Sequence, residues 1–315
     1  MNTAAKLSAY VLGLAVVFGG TLGAGRVIGP TAVPPVQQAD EHNEGVGEHG
    51  EEASAEAAGH GDGHGTQQVR SDTPGGLQVS QDGYTLNPIT TMTIGRPADF
   101  KFTVTDPDGK PITAYQVEHD KKLHFIVVSR DLTHFQHVHP EMAQDGTWSV
   151  GLTLPEAGSY RAFADFVPEG GEKLTLSADL EVAGDYRPEP LPHVSRTAAV
   201  DDYTVNLAGD LVPGRTSELT LTVSKDGEPV TDLQPYLGAY GHLVTLRAGD
   251  LAYLHVHPED SAKAGPEITF YAEVPSGGDY RLFLDFQHEG KVRTAAFTAT
   301  ATLPDGHVPS ATHTH

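Results

Sequence analysis

His137 and His139 stand two residues apart in the segment HVHPE, and His255 and His257 stand two apart in a second copy of it. On a β-strand, residues i and i+2 share a face with Cα atoms roughly 6.5–7 Å apart. Two imidazoles at that spacing can converge on one ion held about 2.0–2.1 Å from each ring nitrogen. A lone His-x-His on an exposed strand is usually decoration, but here more than the pentapeptide recurs. His124 and His242 match at the start of the apolar runs HFIVV and HLVTL, and Asp165 and Asp285 match in the strand after a shared tyrosine. His119, His134, His193 and His288 have no counterpart.

Three neutral imidazoles and one anionic oxygen make a donor set for copper(II) or zinc(II). The expected ligands are therefore His124, His137, His139 and Asp165 in one copy and His242, His255, His257 and Asp285 in the other, one site per copy. Glu141 and Glu259 are alternative oxygen donors, or partners that orient an imidazole. A structural reading stands beside this one: Pro140 and Pro258 end the strand, the imidazoles donate to backbone carbonyls, and Asp165 pairs with an arginine. Arg161 and Arg281 recur at an even spacing from the aspartates, on that same face.

Composition narrows the chemistry. With no cysteine, thiolate sites and disulfides are excluded, and with only Met1, Met92 and Met142 so is a methionine-rich copper(I) site. A formal net charge of -22, from 42 acidic and 20 basic residues, argues against nucleic acid or anionic lipid as partner and favours cations. Seventeen histidines point the same way.

The elements that carry these residues come in two homologous copies. Gly95, Phe100, Phe102 and Val104 match Gly214, Leu219, Leu221 and Val223, and LPEAGSYRAFADF matches VPSGGDYRLFLDF. FKFTV and LTLTV alternate apolar and polar residues at period two, while DPDGKP and KDGEP carry the Asp-Gly hairpin signal. No stretch sustains a period of 3.6, so each copy is expected to be an all-β sandwich. Tyr160 and Tyr280, each two residues after a glycine at the start of a strand, have the pattern of the immunoglobulin tyrosine corner. Trp148 aligns with Ile268, which assigns it to the core.

The stretches FQHVHPEM and YLHVHPED, on a cysteine-free sandwich, resemble the YtkA-like and copper-resistance modules of bacterial cell envelopes. That resemblance covers the architecture of each repeat, immunoglobulin-like or cupredoxin-like, and the HVHP core. It implies copper handling or metal-linked envelope assembly. The tandem duplication, the acidic arm and the few methionines depart from the copper(I)-chaperone pattern.

The expected organisation is a signal anchor or transmembrane helix over 1–29, an acidic His-rich disordered linker over 30–76, and sandwich repeats over 77–186 and 197–303. A Pro-rich linker over 187–196 joins the repeats, and a His-containing tail covers 304–315. Leu7 to Gly25 is uncharged and mostly apolar, between Lys6 and Arg26. It can just span a bilayer, as a retained anchor or a cleaved signal. Either places the globular part outside the cytoplasm, anchored to the cell membrane or secreted. Between Asp40 and Asp62 lie eight acidic residues and no basic one, the composition of a solvated tether. His42, His49, His60 and His64 among those carboxylates add weak capture of divalent cations as a second reading.

Three function classes follow: a membrane-anchored binding protein for copper(II) or zinc(II), an envelope interaction or adhesion module with structural histidines and a protein partner, and a metal-dependent hydrolase. The last is the least supported, because no nucleophile elbow, HExxH or glycine-rich cradle is present. A non-enzymatic metal-binding protein is the expectation.

Overall fold

The computed structural model describes residues 73–259 and 263–303. The apolar segment, the acidic arm up to residue 72 and the C-terminal tail lie outside the described residues, and with them the anchor and tether expectations. No helix of the described residues is long and apolar enough to cross a membrane. Among these residues the secondary structure is all β.

Repeat 1 contributes β1 (Ser80–Gln81), β2 (Tyr84–Pro88), β3 (Ala98–Thr105), β4 (Leu123–Ser129), β5 (Phe135–Val138), β6 (Glu141–Met142), β7 (Trp148–Leu152), β8 (Gly158–Phe166) and β9 (Leu174–Val182). They form two sheets, in the orders β1-β2-β3-β7-β6 and β5-β4-β8-β9. Repeat 2 contributes β10 (Thr197–Val200), β11 (Tyr203–Ala208), β12 (Arg215–Lys225), β13 (Glu228–Pro229), β14 (Gly241–Arg247), β15 (Val256–Pro258), β16 (Glu267–Val274), β17 (Gly278–His288) and β18 (Lys291–Ala301). Its sheets run β10-β11-β12-β16-β15, with β13 on β12, and β14-β17-β18.

The alternation of FKFTV places Phe100, Phe102 and Val104 in the first core, and that of LTLTV places Leu219, Leu221 and Val223 in the second. Trp148 lies in the first core, its indole N–H donating to the Tyr115 hydroxyl at 3.1 Å. Both tyrosine corners form: the Tyr160 hydroxyl donates to Glu156 O at 3.1 Å and that of Tyr280 to Ser276 O at 2.8 Å.

The strands β4, β8, β14 and β17 are buried on both faces. Leu123, Phe125 and Val127 of β4 face their own sandwich, while Ile126 and Val128 join a third apolar cluster. That cluster also holds Phe163 of β8, Val244 and Leu246 of β14 and Phe283 of β17, so the two repeats meet face to face. Phe135 stacks on Phe283 at 4.0 Å between ring centroids, and Phe163 meets Tyr253 at 5.7 Å. Both repeats fall within one compact unit.

Neither recurrent arginine pairs with the aspartate of its own strand. Arg161 does pair with a carboxylate, Asp179, at 2.9 Å, but it also reaches across the junction to Asp250 O. Buried Arg281 crosses the other way, to Leu132 O, and donates to the Thr298 hydroxyl within its own repeat.

Among the described residues, the buried Thr245 hydroxyl on β14 has no hydrogen-bond partner. Its counterpart in repeat 1 is Val127. An unsatisfied buried hydroxyl costs roughly 1–3 kcal/mol, so Thr245→Val should stabilise the protein by about 1 kcal/mol, read as a rise of about 2–4 °C in thermal midpoint.

Candidate metal centre

At one end of the junction the side chains turn from apolar to polar. In β4, His124 shares a face with Ile126 and Val128; in β17, Asp285 shares one with Phe283 and Arg281. Pairing places His124 opposite Asp165 within repeat 1 and His242 opposite Asp285 within repeat 2. Because β5 pairs with β4, with His137 opposite Ile126, the first HVH segment lies along the same sheet as His124.

His124, His137 and His139 therefore converge, with one nitrogen of each ring within 4.8 Å of the others. The His124 Nδ1 atom is 3.2 Å from His137 Nε2 and 3.2 Å from His139 Nε2. Hydrogen bonds fix two of the tautomers. The His124 Nε2–H donates to Glu118 O at 3.2 Å, and the His137 Nδ1–H donates across the junction to Asp285 Oδ2 at 2.8 Å. When both rings are neutral, His124 Nδ1 and His137 Nε2 are thereby left with lone pairs that face each other. For metal–nitrogen bonds of about 2.0–2.1 Å, the edge of a coordination tetrahedron is about 3.3–3.4 Å, close to this spacing.

Asp285 is itself held in place: its Oδ1 accepts the Thr294 hydroxyl at 2.5 Å. It orients His137 as carboxylates commonly orient metal-bound imidazoles. His242 stands at the edge of the cluster, its ring centroid 6.2 Å from His124 and 6.3 Å from His137, with Nε2–H donating to Tyr236 O at 2.7 Å. The Tyr236 hydroxyl lies 3.5 Å from His139 Nδ1.

The remaining expected ligands are placed differently. Asp165 does not join the triad of its own repeat: it accepts the Thr175 hydroxyl at 2.8 Å and pairs with Lys173 at 3.3 Å. His255 and His257 come together not with His242 and Asp285 but with Glu273. Neither Glu141 nor Glu259 belongs to either group. His119, dismissed on sequence because it has no counterpart, lies 5.3 Å from the His242 ring, in a turn where its own φ is +48°. Its local sequence carried no signal of this. The non-recurrent His288 is structural, bridging the Tyr203 hydroxyl and Asp232.

Residues 78–184 and 198–302 each match the family described as a domain of unknown function, DUF8832. The chain belongs to that family. Each sandwich is one DUF8832 domain, and the histidine cluster lies where the two domains face each other. No curated protein matches the chain. Among solved structures it is similar to the Escherichia coli adhesin FdeC, at 15% identity and a TM-score of 0.24, over 71% of this chain and 65% of that one. Yersinia pseudotuberculosis InvD is similar at 15% identity and a TM-score of 0.24, over 71% and 59%. Invasin, a bacterial integrin-binding protein, is similar at 13% identity and a TM-score of 0.22, over 70% and 39%. The chain spans 65% or less of each of these proteins.

Burial, then the neighbouring His137, holds His124 down from 6.5 to about 3. Burial, with His137 and His124 beside it, does the same to His139, also to about 3. His242 is lowered to about 4, chiefly by burial and against the pull of the Tyr236 carbonyl. All three pKa values are depressed on folding, so the unfolded chain binds more protons than the folded one between about pH 6.5 and pH 3. The stability these neutral rings contribute is complete above about pH 6.5 and is lost as pH falls toward 3. Denaturant unfolding of the metal-free DUF8832 pair at pH 7, 5.5 and 4 should show a midpoint that falls at each step. His124→Asn should flatten that dependence.

Proposed function

We propose that the protein binds a divalent first-row transition-metal ion, copper(II) or zinc(II), between its two sandwiches through His124 Nδ1, His137 Nε2 and His139 Nε2. The observation that supports this is the pair of facing ring nitrogens 3.2 Å apart on His124 and His137, whose other nitrogens are already committed to Glu118 O and Asp285. Neutral imidazoles so fixed repel each other unless a proton or a metal ion lies between them. His139 supplies a third nitrogen at the same separation from His124. Asp285 acts on the ion through His137.

An anchored or secreted protein with an acidic, His-containing arm is suited to sequestering or handling metal outside the cytoplasm. The likeness of the HVHP core to YtkA-like and copper-resistance modules belongs to the same proposal.

A second reading is an envelope interaction module, of the kind named among the adhesins and invasin, in which the histidines are structural. One observation favours it: apolar contacts of Phe135 with Phe283 and of Phe163 with Tyr253 join the repeats. Metal removal separates the two readings. An ion present at 1,000 times its dissociation constant stabilises by about 4 kcal/mol. Stripping zinc from the full chain with a chelator should therefore lower the thermal midpoint by roughly 10 °C; an unchanged midpoint supports the interaction module. Asp285→Asn should weaken zinc binding about 10–100-fold, measured by competition with a chromophoric chelator. Undiminished affinity would remove Asp285 from the site.

A further inference from the structure

The second HVH segment takes a different path from the first. In repeat 1 the chain stays on the junction sheet through Val138, and only with β6 does it cross to the opposite sheet. In repeat 2 the crossing comes earlier. Tyr253 still bridges Leu246 of β14, but Val256 and His257 already pair with Ala272 and Tyr271 of β16. The Glu273 N–H donates to His255 O at 3.0 Å, which fixes Glu273 beside His255 on the neighbouring strand.

The side chains follow the backbone. One ligand atom from each of His255, His257 and Glu273 falls within 4.8 Å of the others, and all three residues are exposed. The two rings stand perpendicular, 4.0 Å apart between centroids. The repeat-1 counterpart of Glu273 is Thr153, so this carboxylate belongs to the second copy alone. Asp165, which by symmetry with Asp285 would be the carboxylate across the junction, is held by Lys173, whose Nζ also pairs with Glu118 at 2.9 Å. A cavity of about 580 Å³ opens beside the group, lined by His255, Glu273, Lys173, Arg215, Asp165 and Tyr253.

We infer that His255, His257 and Glu273 form a second metal site, distinct from the junction centre, that takes a hydrated divalent transition-metal ion in an exchangeable way. Two imidazoles and one carboxylate form half of an octahedral shell or three corners of a tetrahedral one, and leave positions for water. Exposure to solvent makes the site weaker and faster than the more enclosed junction triad. The duplication has thus yielded two unlike sites, one closed by both repeats and one open on repeat 2.

Zinc(II) titration of the full chain against a chromophoric chelator tests this, because binding by the terminal segments is common to every variant compared. His255→Ala with His257→Ala should remove about one zinc equivalent from the weaker class and leave the tight class unchanged. Glu273→Gln should weaken that class about tenfold. His137→Ala with His139→Ala should remove the tight class only. Equal zinc counts in the wild type and the His255/His257 variant would overturn the second site. So would loss of the weaker class in the His137/His139 variant. A weaker class that survives in a protein with no tight class would leave this site standing and overturn the junction centre instead. Thermal midpoints of the variants at these exposed positions should match the wild type, which separates lost ligands from lost folding.

Discussion

Burial of β4, β8, β14 and β17 on both faces is the constraint from which the rest follows. A strand of a sandwich usually shows one face to its core and the other to water, and its sequence alternates accordingly. In each repeat here the outer face of one sheet is covered by the other repeat. Ile126, Val128 and Phe163 meet Val244, Leu246 and Phe283, and the sandwiches share a third core. Continuous apolar runs such as HFIVV result, because both parities of residue need burial. A polar side chain on the covered face must then find a partner, in its own repeat or in the opposite one, or lose its hydration without compensation. Arg161, Arg281 and Asp285 each find one there.

The polar end of the junction is organised by where protons can sit. Each anchoring histidine gives its Nε2–H to the carbonyl of the residue six positions earlier, Glu118 for His124 and Tyr236 for His242. Each aspartate opposite takes the hydroxyl of a threonine on the next strand, Thr175 or Thr294. This frame is common to both repeats and is set by strand register. The free carboxylate oxygen makes the difference. Asp285 spends it on His137, which turns an imidazole nitrogen toward His124; Asp165 spends it on the ammonium of Lys173. Hydrogen bonds that fix one ring nitrogen decide where the other points, and only one of the two frames sets two imidazole nitrogens face to face.

Much of the fold was legible in the sequence. Period-two alternation, Asp-Gly turns and the glycine-tyrosine strand starts place the strands, and the tyrosine corners form as read. The grouping of His124, His137 and His139 was also legible, since β4 and β5 are neighbours on one sheet. What could not be read was anything that depends on the two repeats facing each other. His137 meets Asp285 from 148 residues away, and no periodicity within a repeat encodes that contact. Recurrence also gives no sign of the residues beside the histidines that only one copy carries. Glu273, Lys173 and His119 each stand where the other copy has a different residue.

The departure of His255 and His257 from the junction has a local cause. In a sandwich, a strand that begins on one sheet and ends on the other must cross at some residue, and the side chains beyond the crossing change company. In repeat 1 the crossing falls after HVHP, and the histidines stay with β4; in repeat 2 it falls before Val256, and they move to β16. Gly75 occupies part of what is left, bridging Tyr253 from the segment that precedes β1. On the other side of the junction Leu191, from the segment between the repeats, packs against the apolar cluster, and the Glu189 N–H donates to Asp131 Oδ2 at 3.0 Å. Two identical copies placed face to face would present two equivalent ends; the order of the copies along one chain already makes those ends unequal. The asymmetry of the histidine sites therefore needs no difference in the HVHPE motif itself, only in the strand path and the neighbours that receive it.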